Sequence, residues 1–90
     1  MEKSFKARVL TPEQILFEGD VTGVQVPGMN GKFEMLFNHA PIISSLVEGS
    51  VRIRKTGSED LLFSIDSGFL EMNNNQLTIL AESAKDKRVI

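Results

Sequence analysis

Apolar residues return at every second position in short runs, and turn-forming residues interrupt each run before it lengthens. Phe5, Ala7 and Val9 alternate with Lys6 and Arg8, and Val51 and Ile53 alternate with Arg52 and Arg54. A period of two belongs to a strand with one buried and one wet face, and no stretch carries an apolar stripe at the helical period. Ile15 to Phe17 form a further short run closed by Glu18-Gly19-Asp20, Val21 to Val26 is β-branched and ends in Pro27-Gly28, and Phe33 to Phe37 is apolar and aromatic. Such spacing predicts an all-β chain of short antiparallel strands, a sandwich or a barrel, with little or no helix.

Two hairpins stand out. Arg52 to Ile65 reverses through Thr56-Gly-Ser-Glu-Asp60, and Phe69 to Ala81 reverses through Asn73-Asn-Asn-Gln76. Asparagine tolerates left-handed backbone and bonds its own turn, so the asparagine run suits a tight reversal. Two stretches have room for a turn of helix, Pro41 to Leu46 and Glu82 to Lys87, and the first is expected to be extended or a single 3₁₀ turn. The chain reads as a single domain over residues 1–84, followed by a short solvated tail at 85–90 that carries Lys85-Asp-Lys-Arg88.

Ninety residues suffice for one core, which buries roughly 60–65 % of the unfolded surface. A net charge of −2 gives no electrostatic footprint for nucleic acid. With no cysteine there is no disulfide, thiolate metal site or thiol nucleophile, and a reducing compartment fits. No segment has the apolar length to cross a bilayer, so the expectation is a cytosolic chain without membrane insertion of its own.

Specific chemistry concentrates in Val24 to Pro41, which holds two of the three prolines and the only histidine around a Gly28-Met-Asn-Gly31 turn. Pro27 locks its φ while Gly28 and Gly31 admit backbone closed to other residues, so a built loop is expected. His39 could act as a base beside Ser44 or Asp66, but no third group at a suitable spacing orients it, and a packed or hydrogen-bonded loop histidine is the favoured reading. Metal binding fails on ligand number, and Gly28 to Lys32 lacks the spacing and the following Ser/Thr of a phosphate loop. No cofactor is expected. Met29, Phe33, Met35, Phe37, Ile42 and Ile43 offer more large apolar side chains than one short region readily buries, which points to a protein partner. Burial of all of them in a two-layer core is the competing reading.

The segments Val9-Leu-Thr-Pro-Glu-Gln14, Phe17-Glu-Gly-Asp-Val21, Val24-Gln-Val-Pro-Gly-Met-Asn-Gly31, Asn38-His-Ala-Pro-Ile-Ile-Ser-Ser-Leu46, Gly49-Ser-Val-Arg-Ile53, Ser67-Gly-Phe-Leu-Glu-Met72 and Leu77-Thr-Ile-Leu-Ala-Glu82 follow one another in this order. Together they resemble the epsilon subunit of F-type ATP synthase over nearly the whole chain. The resemblance implies a flattened β-sandwich in the rotary central stalk, a non-catalytic part that binds the gamma subunit, contacts the polar loops of the c-ring and acts indirectly on the alpha/beta hexamer. It implies a peripheral position on the cytoplasmic face of the inner (plasma) membrane. It places Thr11, His39, Ala40, Pro41, Ile42 and Ser44 toward gamma, and Gly28, Met29, Asn30, Gly31 and Lys32 toward the c-ring. The family often carries Gly where this chain has Glu34, a Gly-Gly pair where it has Ser67-Gly68, and an acidic residue at Lys32. Members commonly continue into an inhibitory helical hairpin, and the expectation here is a coupling subunit without that arm. A free-standing β-sandwich binding module is the alternative. Exposed Trp or Tyr platforms for carbohydrate are missing from its composition.

Overall fold

The computed structural model describes residues 3–89, with side chains described through residue 85. Ten strands account for its regular structure: β1 Phe5–Leu10, β2 Ile15–Val21, β3 Gly23–Gly28, β4 Gly31–Met35, β5 Ile42–Leu46, β6 Gly49–Arg54, β7 Leu61–Ile65, β8 Gly68–Asn73, β9 Gln76–Ala81 and β10 Ala84–Val89. The second half of the chain is one long meander folded across its middle. β5 and β6 face β8 and β7 in a register that runs unbroken from Ile42↔Met72 to Ile53↔Leu61. The β8–β9 register likewise continues past the bend into β7–β10, through Gly68↔Ala81 to Ile65↔Ala84. At the bend the Asp66 N–H donates to the Ser83 carbonyl (3.3 Å) and the Glu82 N–H to the Ser67 carbonyl (2.9 Å). The ladder therefore survives the fold, and the two halves of the meander become the two layers of a curled sheet.

One layer is ordered β5-β8-β9-β1-β2 and the other β10-β7-β6-β3-β4, joined where Gly28 of β3 meets Leu46 of β5. The all-β expectation holds, with one correction to the strand directions. β1 lies parallel to β9, from Lys6↔Gln76 to Leu10↔Leu80. Side-chain alternation reports which face a residue occupies and carries no information on the direction of a distant partner strand.

Alternation does decide the interior. Phe5, Ala7 and Val9 are buried while Lys6 and Arg8 are exposed, and Val51 and Ile53 are buried beside Arg52 and Arg54. Val24, Val26, Met35 and Phe63 of one layer complete a single core with Leu70, Met72, Leu77 and Ile79 of the other. Among the described residues no polar or charged side chain is fully buried, so the core needs no polar network. Arg54 Nε instead meets Glu34 Oε2 at 3.2 Å on the outer face. Glu34 also covers Gly23, where an added Cβ would lie 2.8 Å from the same oxygen.

Four departures from the sequence reading concern boundaries and ends. The tail expected at 85–90 is a paired strand as far as Val89, and no turn of helix forms over 82–87: β10 continues β9 past the bend and its backbone pairs with β7, although Lys85 remains exposed. An edge strand tolerates charged side chains because only its backbone needs a partner, which is why composition suggested solvent. Ile90 lies outside the described residues. β2 runs through Gly19 to Val21, and the break falls at Thr22, whose N–H and hydroxyl both donate to the Arg54 carbonyl (2.8 and 3.3 Å). β4 starts at Gly31 and ends at Met35, leaving Phe37 in the connection to β5.

Asn74 and Asn75 form the reversal between β8 and β9 with φ of 52° and 59°, the left-handed pair that a two-residue hairpin requires. Asn75 also clasps the β4–β5 connection. Its Oδ1 accepts from the Asn38 N–H (2.6 Å), its Nδ2 donates to Asn38 Oδ1 (3.0 Å), and its carbonyl accepts from the Lys6 N–H (3.1 Å). Asn75→Ala removes both side-chain bonds and places a Cβ-bearing residue without local compensation at positive φ. The expected cost is about 1–2 kcal/mol, read as a lower midpoint in urea with an unchanged m-value.

Candidate interaction surface

The outer face of the β5–β8–β9 layer should be polar by the rule that puts apolar residues inside, and it is not. Ile43, Phe69 and Leu80 stand there 77 %, 60 % and 44 % exposed. The register explains their neighbourhood: Phe69 is directly opposite Leu80 on one side and Ser45 on the other, and Ile43 is opposite Glu71, one step along β8 on the same face. Leu10 and Ile15 extend the apolar row through β1 and β2. Beside Phe69 lies a hollow of about 360 Å³ whose rim includes Pro12, Ser45, Ser67, Leu80 and Glu82. Cross-strand spacing of about 5 Å makes these side chains one patch rather than scattered exposures.

The sequence-derived partner residues fall into three places. His39, Ala40 and Pro41 sit at the start of β5, by the Asn75 clasp; Thr11 lies beyond Leu10, at the opposite end of the layer, roughly 17 Å away along the strands. Ile42 and Ser44 share the inward face with Met72 and Leu70, and Ile42 packs on the core. Ile43 is thus the exposed member of the Ile42-Ile43 pair. The six crowded apolar residues divide as well. Met35 is fully buried, Phe33, Phe37 and Ile42 pack on the core, and Met29 and Ile43 are exposed.

The Gly28 to Lys32 turn projects at the junction of the layers. Gly28 is buried, with no room for a Cβ between the Phe33 ring and the Gly31 carbonyl, and Gly31 holds φ at +122°. Met29, Asn30, Gly31 and Lys32 are exposed. A groove of about 440 Å³ separates this turn from Ile42, Ile43, Ser44 and Ser45.

Among the described residues no catalytic constellation converges on the histidine. His39 Nδ1 lies 2.7 Å from the Ala40 carbonyl oxygen, which only accepts, so Nδ1 carries the proton. The Ser44 hydroxyl donates to the Ser45 carbonyl (3.2 Å), and Asp66 accepts from Ser83 at the bend.

Phe69 and Leu80 are surface residues that sequence reasoning missed. Their signal was present in the alternation: Phe69 has the parity of Glu71 and Asn73, and Leu80 that of Thr78 and Gln76, so each belongs to the wet face.

Residues 4–87 match the family described as ATP synthase, Delta/Epsilon chain, beta-sandwich domain. The ATP synthase epsilon chain of Chlorobium limicola is 36 % identical over 81 residues, spanning 90 % of this chain and 92 % of its own. That of Caulobacter vibrioides is 45 % identical over 76 residues, 84 % of this chain and 87 % of its own. In Leptospira interrogans the identity is 40 % over 77 residues, 86 % of this chain and 60 % of the relative. Among solved structures, a chain of the Euglena gracilis mitochondrial ATP synthase OSCP/F1/c-ring assembly superimposes with a TM-score of 0.86 at 15 % identity, covering 91 % of this chain and 52 % of that one. A chain of the Tetrahymena thermophila central stalk/c-ring gives 0.78 at 14 % identity, covering 94 % and 68 %. At such identities the superpositions establish a shared fold.

Proposed function

The chain belongs to the ATP synthase delta/epsilon-chain β-sandwich family, and from that premise we propose that it clamps the gamma subunit to the c-ring in the rotor of a membrane-associated ATP synthase. It is a non-catalytic subunit. The outer face of β5–β8–β9 takes gamma, and the Gly28 to Lys32 turn rests on the polar loops of the c-ring, on the cytoplasmic side of the ion-translocating membrane. Torque then passes from ring to gamma, and through gamma to the alpha/beta hexamer. No helix among the described residues is long and apolar enough to cross a membrane.

The apolar row of Ile43, Phe69 and Leu80 carries this reading. Such side chains on the solvent side of an antiparallel layer cost solubility unless a partner covers them, and aromatic and aliphatic anchors supply most of the binding energy at protein interfaces. A packed domain also suits mechanical work. The meander crosses both layers in continuous hydrogen-bonded register, so a load applied at one face reaches the other through backbone ladders.

A tagged copy recovered from detergent-solubilised membranes that contain intact synthase should bring gamma, alpha, beta and c with it. Recovery of the tagged chain alone would refute the rotor assignment. For the ring contact, Lys32→Glu should alter the salt dependence of attachment to the c-ring while moving the melting temperature by less than about 2 °C, since an exposed loop charge acts through screened electrostatics. Attachment that does not change at any ionic strength would refute the placement of this turn.

A further inference from the structure

The layers end in strands whose edges are treated unequally. β2 carries Glu18 and Asp20, β4 carries Lys32 and Glu34, and β10 reads Ala-Lys-Asp-Lys-Arg-Val. Charged side chains on an edge discourage another chain from pairing with it. β5 reads Ile-Ile-Ser-Ser-Leu and has no charge at all. Its far side is joined to β3 at Gly28↔Leu46 and by two neighbouring bonds, Met29 N–H to the Ser45 carbonyl (3.2 Å) and Val47 N–H to the Pro27 carbonyl (2.9 Å). Backbone groups alternate sides along a strand, so if Ser45 and Val47 point to that side, the N–H and carbonyl of Ile43 do too. Among the described residues no strand pairs with Ile43 there; its partner on the β8 side is Glu71.

Ile43 therefore presents an unpaired donor and acceptor to the groove of about 440 Å³ between β5 and the Gly28 to Lys32 turn. The groove wall is built from Met29, Phe33 and Ile42 with the two serines, and from Asn30 and Lys32 on the turn, a lining that accepts small, apolar or acidic side chains along an extended chain. We infer that an extended segment of the gamma subunit adds to the free edge of β5, pairing its backbone with Ile43 and laying its side chains in this groove. The inference rests on gamma being the partner of the adjacent apolar face. The same residue links the two: the Ile43 side chain belongs to that face and its backbone to the edge, so a segment crossing the patch arrives at the groove. Strand addition gives affinity through main-chain bonds and sets orientation, which a flat apolar contact alone does not.

Hydrogen exchange at the Ile43 amide, measured on the chain alone and in complex with its cognate gamma subunit without the c-ring, tests this directly. Exchange in the complex should slow at least about tenfold relative to the free chain, with Glu71 and Thr78 as reference amides within the existing ladder. Ile43→Pro deletes the groove-facing N–H and leaves the β8 ladder intact, and proline is tolerated on an edge. It should weaken gamma binding about tenfold beyond Ile43→Ala, which accounts for the side chain. Equal exchange in both states, or equal binding of the Pro and Ala variants, overturns strand addition. Protection already present in the chain alone at high concentration also overturns it, by assigning the edge to a second copy. In each of these cases loss of binding in Phe69→Asp, which leaves β5 untouched, shows that the gamma reading itself still stands; failure of the wild-type chain to bind gamma removes both.

Discussion

Phe69→Asp combined with Ile43→Asp should abolish binding to the gamma subunit while leaving the domain folded. Both side chains project from the solvent face of their strands and neither belongs to the core, so a carboxylate at either position stays hydrated in the free chain. On binding, the same carboxylates would be buried against apolar surface without a partner, which costs far more than the lost contact. Truncation at the centre of an interface typically removes about 2–4 kcal/mol, a weakening of roughly 30- to 1,000-fold for one residue. Titration calorimetry or surface plasmon resonance measures the affinity, and a melting curve within about 3 °C of wild type establishes that the fold is retained. A folded double variant with undiminished affinity would remove the apolar row from the interface. The equivalent change at Ile42 should behave differently and lower stability, because Ile42 packs on the core.

The largest effect on stability should come from Gly68→Ala. Gly68 opens β8 just past the bend of the meander, where β8 and β9 approach so closely that a Cβ would collide with the Leu80 carbonyl oxygen and stand 3.0 Å from Ala81 Cα. These obstacles are backbone, and backbone in a paired ladder cannot swing aside as a side chain does. The ladder must widen or the bend must shift, and either disturbs both layers. Overpacking of this kind costs about 2–3 kcal/mol. For a chain of this length that lowers the melting temperature by roughly 10–20 °C. Gly49 lies across the bend, where its Cβ would stand 2.7 Å from Pro27 of β3, so there the meander packs closely on the neighbouring strand. A Gly68→Ala variant that melts with the wild type would mean that the bend is free to relax.

Particular elements show how far the residues speak for themselves. The alternation of Phe5-Ala7-Val9 and Val51-Ile53, and the asparagine reversal at Asn74-Asn75, were legible because burial of one face and positive φ are local demands that the residues at those positions must meet. β10 was not legible. Lys85-Asp-Lys-Arg88 carries no apolar signal, and its strand exists because β7 offers an unpaired edge. The parallel β1–β9 pair was equally hidden, since no property of Phe5–Leu10 names its neighbour.

The surface divides in the same way. Crowding of apolar residues pointed to a partner near Ile42 and Ile43, but which of the two faces solvent depends on the register with β8, and the contribution of Phe69 and Leu80 emerges only when three strands are laid side by side. By itself, then, the sequence determined an all-β chain, its main reversals, most of its core and the family to which it belongs. The tertiary structure alone decided the bend of the meander, the parallel strand, the composition of the apolar row and the free edge of β5. The physical reason is that alternation and turn preference act between neighbours along the chain, whereas a sheet surface is assembled by backbone bonds between residues far apart in it.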